Sequence, residues 1–231
     1  MPDFSQAPPG LEPPTVVDHV LLPVSDLELG ARVLGEKAGL EALPGGKHAT
    51  GGTANYIVPL GRQYLELIAV VDEKAAVDSR LGARGMQSVK RGKTFVAWAL
   101  RTTDLDAMRA KLLAAGWELP AIATGSRRRP DGQVLSWRTQ DIALGSEPSA
   151  IPFIIEWQVP DGLHPGEAPA SHRDGATSIR RVVVGAREPG RVRSQLQLLL
   201  GDSEMYEVRL AEADGVEELL LEHAGGEAVL R

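Results

Sequence analysis

Residues 16–27 read VVDHVLLPVSDL and residues 94–105 read TFVAWALRTTDL. In each, an apolar run ends at a Ser-Asp or Thr-Asp pair, the pattern of a strand that gives way to a helix at its N-cap. Helical spacing follows both times. Leu27, Ala31, Val33 and Leu34 lead to a stop near Gly39, and Leu105, Met108, Leu112 and Leu113 lead to one at Gly116. After the first helix, Pro44–Gly52 (PGGKHATGG) reads as a Gly-rich loop. Ala54–Leu60 and Tyr64–Val71 read as a hairpin turning at Gly61-Arg62. After the second, Gln133–Thr139 and Pro152–Val159 read as strands, with Gln140–Ile151 as a polar loop between them. Asp161–Gly175 reads as a linker. A third stretch then opens with a strand at Ser178–Val184 and a helix at Gly190–Leu200, and closes with a hairpin, Glu204–Ala211 with Val216–His223, around Asp214-Gly215.

The order β-α-β-β(-β) thus recurs about every 80 residues, which points to duplicated modules that curl around one core. The expected class is α+β. The expected organisation is an arm over 1–14, modules over 15–92 and 93–175, and a partial third module over 176–231. Aligning the caps sets His19 against Ala97, and laying YLELI (64–68) on FIIEW (153–157) sets Glu66 against Glu156.

Composition narrows the partners. With 25 Lys and Arg against 31 Asp and Glu, the 231-residue chain carries a net charge of −6 and no long basic block. That argues against nucleic acid or an anionic membrane as main partner and leaves a small molecule. The absence of cysteine excludes disulfides, thiolate metal sites and a cysteine nucleophile. No apolar run approaches the 18 or more residues of a spanning helix. MPDFSQAPPGLEPPT lacks a basic n-region and an apolar h-region, so a cytoplasmic protein with an extended Pro-rich arm is expected. No G-x-S-x-G, P-loop, H-E-x-x-H, or G-x-G-x-x-G leading into a helix is present, which counts against Rossmann hydride transfer and P-loop phosphoryl transfer.

Several residues could carry chemistry. Glu66 lies mid-strand among apolar neighbours, where a carboxylate is costly to bury unless paired or metal-bound; the plainer reading puts it on a solvated face. Glu156 poses the same question at the repeated position. His19 is either a satisfied core histidine or, beside two carboxylates, a ligand for Zn²⁺, Mn²⁺, Fe²⁺, Co²⁺ or Ni²⁺. His48 sits among Gly45, Gly46, Gly51 and Gly52, as a solvated turn residue or as a group brought close to a ligand. Asn55 follows, placed to orient a substrate carbonyl. Arg127-Arg128-Arg129 is a solvated loop or an anion clamp, Trp137 walls a pocket or fills the core, and His164 punctuates the linker or lines the site.

Together, DHVLLPVSDLELGARVL (18–34), PGGKHATGGTANYIVPLG (44–61), YLELIAVVD (64–72), SRRRPDG (126–132), LSWRT (135–139) and PFIIEWQ (152–158), with His164-Pro165, resemble the glyoxalase-like domain family of the vicinal oxygen chelate superfamily. The resemblance spans roughly residues 16–170. It implies paired βαβββ modules closing a cupped mixed sheet, with a divalent metal (Zn, Mn, Ni or Fe) held by His and Glu from the first and last strands of each module. Carried over, His19, Glu66 and Glu156 match ligand positions, while the fourth is Ala97, which cannot bind metal. His48 is a replacement ligand or an acid/base beside Glu66, and Arg128 holds an anionic end of the substrate, with Asn55, Trp137 and His164 around it. Two functions stay open: a metal-dependent lyase, isomerase or dioxygenase, and a metal-free binder of the bleomycin-resistance type. Whether the third unit pairs within the chain or across a homodimer also stays open.

Overall fold

The computed structural model describes residues 15–143, 148–223 and 225–231. The expected arm over 1–14 and the centre of the loop at 140–151 lie outside the described residues. The first unit runs β1 (Val16–Pro23), α1 (Leu27–Ala38), β2 (Leu43–His48), β3 (Thr53–Leu60), β4 (Gln63–Val70), α2 (Glu73–Val77) and α3 (Arg80–Lys90). The second runs β5 (Ala97–Arg101), α4 (Leu105–Ala114), β6 (Ala123–Arg128), β7 (Val134–Gln140) and β8 (Phe153–Trp157). The third runs β9 (Ala176–Ala186), α5 (Pro189–Leu200), β10 (Tyr206–Leu210), β11 (Gly215–His223) and β12 (Gly226–Leu230).

The caps form where the repeat places them. The Asp26 carboxylate accepts from Leu29 N at 2.7 Å and that of Asp104 from Ala107 N at 2.8 Å, each satisfying an orphan N–H of the first helical turn. Gly39 closes α1 with φ 67°, a left-handed conformation that glycine adopts without strain. In each of the first two units the first strand pairs parallel with the last, β1 with β4 and β5 with β8. The two units join edge to edge into a closed barrel ordered β1-β4-β3-β2-β6-β7-β8-β5. Alternation along β4 then sorts its side chains. Leu65 and Leu67 enter the main core with Trp98, Leu100, Leu105 and Met108, while Tyr64 and Glu66 face the barrel interior.

Four features differ from the sequence reading. Leu43–His48 is a strand rather than part of a loop, and it carries a bulge between Pro44 and Gly46. Its glycines are there for space, since a Cβ on Gly46 would collide with the Arg128 carbonyl. The polar strand β6, invisible to an apolar-periodicity reading, supplies the seam to β2 through Lys47–Arg128 and His48–Arg127. The third unit is wired differently from the other two. Its order is β10-β9-β11-β12, so β10 lies parallel to β9 and does not form a hairpin with β11. The turn at Asp214-Gly215 leads β11 across to the far side of β9, where β12 completes the sheet. Finally, 161–175 is a strap on the first unit rather than a free linker. His172 Nε2 donates to the Pro59 carbonyl at 2.6 Å, Arg173 N donates to Gly39 O at 2.7 Å, and Gly166 packs on the backbone of Gln63.

The third unit packs on the barrel of its own chain, with Ile179, Val182, Leu196 and Leu219 in the same core as Leu60 and Leu100. Elsewhere it carries ion pairs such as Arg180–Glu204, Arg209–Glu218 and Arg231–Glu218. Among the described residues no helix is long and apolar enough to cross a membrane.

Candidate functional site

The barrel interior holds a cavity of about 460 Å³. One wall is polar, built from His19, His48, Asn55, Tyr64, Glu66 and Arg127; the facing wall is apolar, with Trp137, Phe153, Ile155 and Trp157. At the rim α3 contributes Arg80 and Arg84, both reaching towards Asp141.

His19 owes its setting to an irregularity in β1. Val17 lies opposite Leu100 and His19 opposite Ala99, so Asp18 is an extra residue with no partner on β5. Such a bulge re-aims side chains that strict alternation would send to opposite faces. Asp18 and His19 therefore meet. The fully buried Asp18 carboxylate takes the His19 Nδ1 proton at 2.8 Å and the Trp157 Nε1 proton at 3.1 Å on one oxygen, and Arg101 Nη1 at 3.1 Å on the other. His164 Nε2 lies 3.0 Å from that second oxygen. Because His164 Nδ1 accepts from Gly166 N at 3.2 Å, its proton sits on Nε2 and is donated to Asp18. Burial alone would raise the Asp18 pKa. The hydrogen bonds from His164 and His19 outweigh it and hold the carboxyl well below the usual range. With Nδ1–H committed to an ionised carboxylate, His19 turns Nε2 towards the cavity, 3.6 Å from Glu66 Oε2. Tyr64, opposite His19 across β1 and β4, stacks on its ring at 4.4 Å and fixes the plane.

His48 approaches from the other side. Its Nδ1 lies 2.7 Å from Thr53 Oγ1 and its Nε2 3.2 Å from Asn55 Nδ2. Asn55 Nδ2 donates at 2.7 Å to Glu66 Oε1, an acceptor only, and Asn55 Oδ1 takes Arg127 Nη1 at 3.3 Å, so the amide orientation is determined. Nε2 of His48 therefore accepts, and Nδ1 carries the proton to Thr53. Burial, reinforced by Arg127 against the pull of Glu66, lowers the His48 pKa and keeps the ring neutral near pH 7. Its Nε2 stands 3.6 Å from Glu66 Oε1. Burial, then Glu66 and Asp18, push the Tyr64 hydroxyl well above its ordinary value, so it faces the cavity as a neutral phenol.

The geometry sorts the expected residues. His19, His48, Asn55, Glu66 and Trp137 come together. Glu156 does not: β8 sends Phe153, Ile155 and Trp157 inward, and Glu156 faces out, accepting from Leu105 N at 3.1 Å and Arg138 Nη1 at 3.1 Å. The cap alignment that matches Asp26 to Asp104 also matches Leu21 to Ala99, and these face Glu66 and Phe153 respectively. Phe153, not Glu156, is the counterpart of Glu66. Arg128 is exposed and donates to Gly132 O at 3.0 Å; its neighbour Arg127 is the arginine in the cavity. His164 stays behind the wall, edge-on to Tyr64 and Trp157.

The family model for the glyoxalase-like domain matches residues 17–200. The chain belongs to the glyoxalase-like domain family. This places it in the vicinal oxygen chelate superfamily and accounts for the paired βαβββ units of the barrel. Among solved structures, a hypothetical protein from Staphylococcus aureus is similar at 18% identity and TM-score 0.74, over 90% of this chain and 91% of that one. Methylmalonyl-CoA epimerase from Mycobacterium tuberculosis matches at 21% identity and TM-score 0.45, over 67% of this chain and 93% of the other. The first likeness shows the fold; the second is too partial to carry an argument. No curated protein matches. Ala97, at the position where the glyoxalase-like resemblance leads one to expect a ligand, packs with Leu21 and Ile68 and offers no donor atom.

Proposed function

We propose that this chain is a divalent-metal-dependent enzyme of the isomerase, lyase or dioxygenase type that acts on a small, oxygenated, anionic substrate. One observation carries the reading: two imidazoles converge on one buried carboxylate. Nε2 of His19 stands 3.6 Å from Glu66 Oε2, and Nε2 of His48 stands 3.6 Å from Oε1, with which it shares the Asn55 amide. A carboxylate buried beside two imidazole nitrogens is a costly arrangement that a divalent cation would relieve. No group of three or more His, Cys, Asp or Glu stands in metal-holding geometry among the described residues. The donor set nonetheless fits a divalent ion by its chemistry: two imidazoles whose Nδ1 protons are already committed, to Asp18 and to Thr53, and one carboxylate anchored by Asn55. His19, His48 and Glu66 would hold the ion, His48 in place of the donor that Ala97 lacks. When bound, the ion supplies Lewis-acid polarisation of adjacent substrate oxygens. Glu66 Oε2, which Asn55 leaves free, moves a proton at the substrate, and the Tyr64 hydroxyl steadies an oxygen beside it.

The metal-free binding reading draws on Ala97 and on the aromatic wall. Calorimetric titration of Zn²⁺, Mn²⁺, Ni²⁺ and Fe²⁺ separates the two. The enzyme reading expects one tight site per chain, lost in Glu66→Ala and weakened in His48→Ala. Wild type without a site, or Glu66→Ala that binds as wild type does, overturns it.

A further inference from the structure

The Arg127 guanidinium is buried, with 4% of its surface exposed, and lies against the cavity. It makes one side-chain hydrogen bond, to Asn55 Oδ1, and no carboxylate lies within ion-pair distance among the described residues. A buried guanidinium without a counter-ion is costly. Glu66 does not pair with it: the Asn55 amide stands between them, accepting from Arg127 on one side and donating to Glu66 on the other. The two charges are thus kept apart and both presented to the cavity. Gly45 makes this contact sterically accessible, since a Cβ there would collide with both Asn55 and Arg127. Tyr64, itself a buried residue, lines the same space.

The rest of the lining is aromatic. Of the ten Phe, Trp and Tyr residues in the chain, four line this cavity: Tyr64, Trp137, Phe153 and Trp157. The Trp137 and Trp157 rings meet edge to face at 5.4 Å, and Trp137 lies over Gly125, where a Cβ would strike its indole. Flat surfaces of this kind select a flat ligand body.

We infer that the ligand is an aryl carboxylate, its carboxylate held by Arg127 and the Tyr64 hydroxyl and its ring against the Trp137–Trp157 wall. This deepens the reading above and rests on the cavity being a small-molecule site, but not on the metal. A carboxylate suits the planar fork of one guanidinium bidentately, whereas a phosphate dianion calls for more positive charge than Arg127 alone supplies.

The test is quenching of tryptophan fluorescence in the full chain, with benzoate, benzamide, acetate and phenyl phosphate as probes, first in chelator and then with Zn²⁺ or Mn²⁺. Benzoate is expected to saturate about tenfold or more tighter than the other three, and to lose about tenfold in Arg127→Gln. Benzamide binding as well as benzoate, acetate doing so, or phenyl phosphate binding tighter each overturns the inference, as does silence from every probe in both conditions. The wild-type probe series stands even if Arg127→Gln fails to fold. Benzoate binding in chelator by a protein that takes up no metal upholds this inference and overturns the metal reading. Metal uptake without benzoate binding does the reverse.

Discussion

Replacing Asp18 by asparagine leaves shape almost unchanged and removes one acceptor from the most heavily bonded side chain of the site. Each Asp18 oxygen serves two donors, His19 and Trp157 on one, Arg101 and His164 on the other. An amide has one oxygen, so its NH₂ must face one of these pairs. Turned to Arg101 and His164, it leaves a half-buried guanidinium opposed by a donor. Turned to His19, it forces the imidazole proton onto Nε2 and still opposes Trp157. Two charge-assisted hydrogen bonds are lost either way, about 1.5–3 kcal/mol each, and the whole falls in the range of about 3–5 kcal/mol for breaking a buried ion pair. For a chain of this size that lowers Tm by roughly 6–20 °C. The pH dependence is specific. The folded-state Asp18 pKa lies below the ordinary 3.8, so its contribution is fully present above 3.8 and is lost as pH falls from there towards the folded value. Urea unfolding of both proteins by circular dichroism is expected to show a constant stability gap from about pH 5 to 8 that narrows below about pH 4. A gap under about 1 kcal/mol at pH 7, or one that does not change in acid, refutes the argument.

Other expectations follow from the same geometry. In chelated protein, NMR titration of the His48 ring should give a midpoint below 6.5; the folded chain then binds fewer protons than the unfolded one, so this group lowers stability as pH falls below 6.5, and a midpoint at or above that value contradicts the burial argument. Gly125→Ala drives a methyl into the Trp137 indole and should cost about 1–3 kcal/mol in urea unfolding with a changed near-ultraviolet tryptophan signal; a silent substitution means that Trp137 does not rest there. Glu156→Gln, on the outer face, should cost about 1 kcal/mol through the weakened Arg138 contact and leave metal uptake intact, and loss of metal would show that Glu156 reaches the cavity.

Much of the barrel was legible because caps and alternation are local signals. Asp26 and Asp104 both mark helix starts, and the run Tyr64-Leu65-Glu66-Leu67-Ile68 places Tyr64 and Glu66 on one face. What escaped depends on long-range pairing. Strand β6 has no apolar period, so nothing local told whether Arg127 or Arg128 faces in. Glu156 was displaced by matching motifs by letter, FIIEW on YLELI, rather than by register, in which Phe153 holds the place of Glu66. Strict alternation along β1 sends Asp18 away from His19, and only the bulge reunites them. The wiring of the third unit could not be read from its strands, since a β-α-β-β-β order fits more than one sheet.

The central claim is that His19, His48 and Glu66 converge on one cation. X-ray absorption on the Zn²⁺-loaded protein counts these donors directly. Two imidazoles at about 2.0–2.1 Å with a carboxylate oxygen in the same shell are expected, falling to one imidazole in His48→Ala. A shell with a single imidazole in wild type, or one unchanged in His48→Ala, contradicts the account.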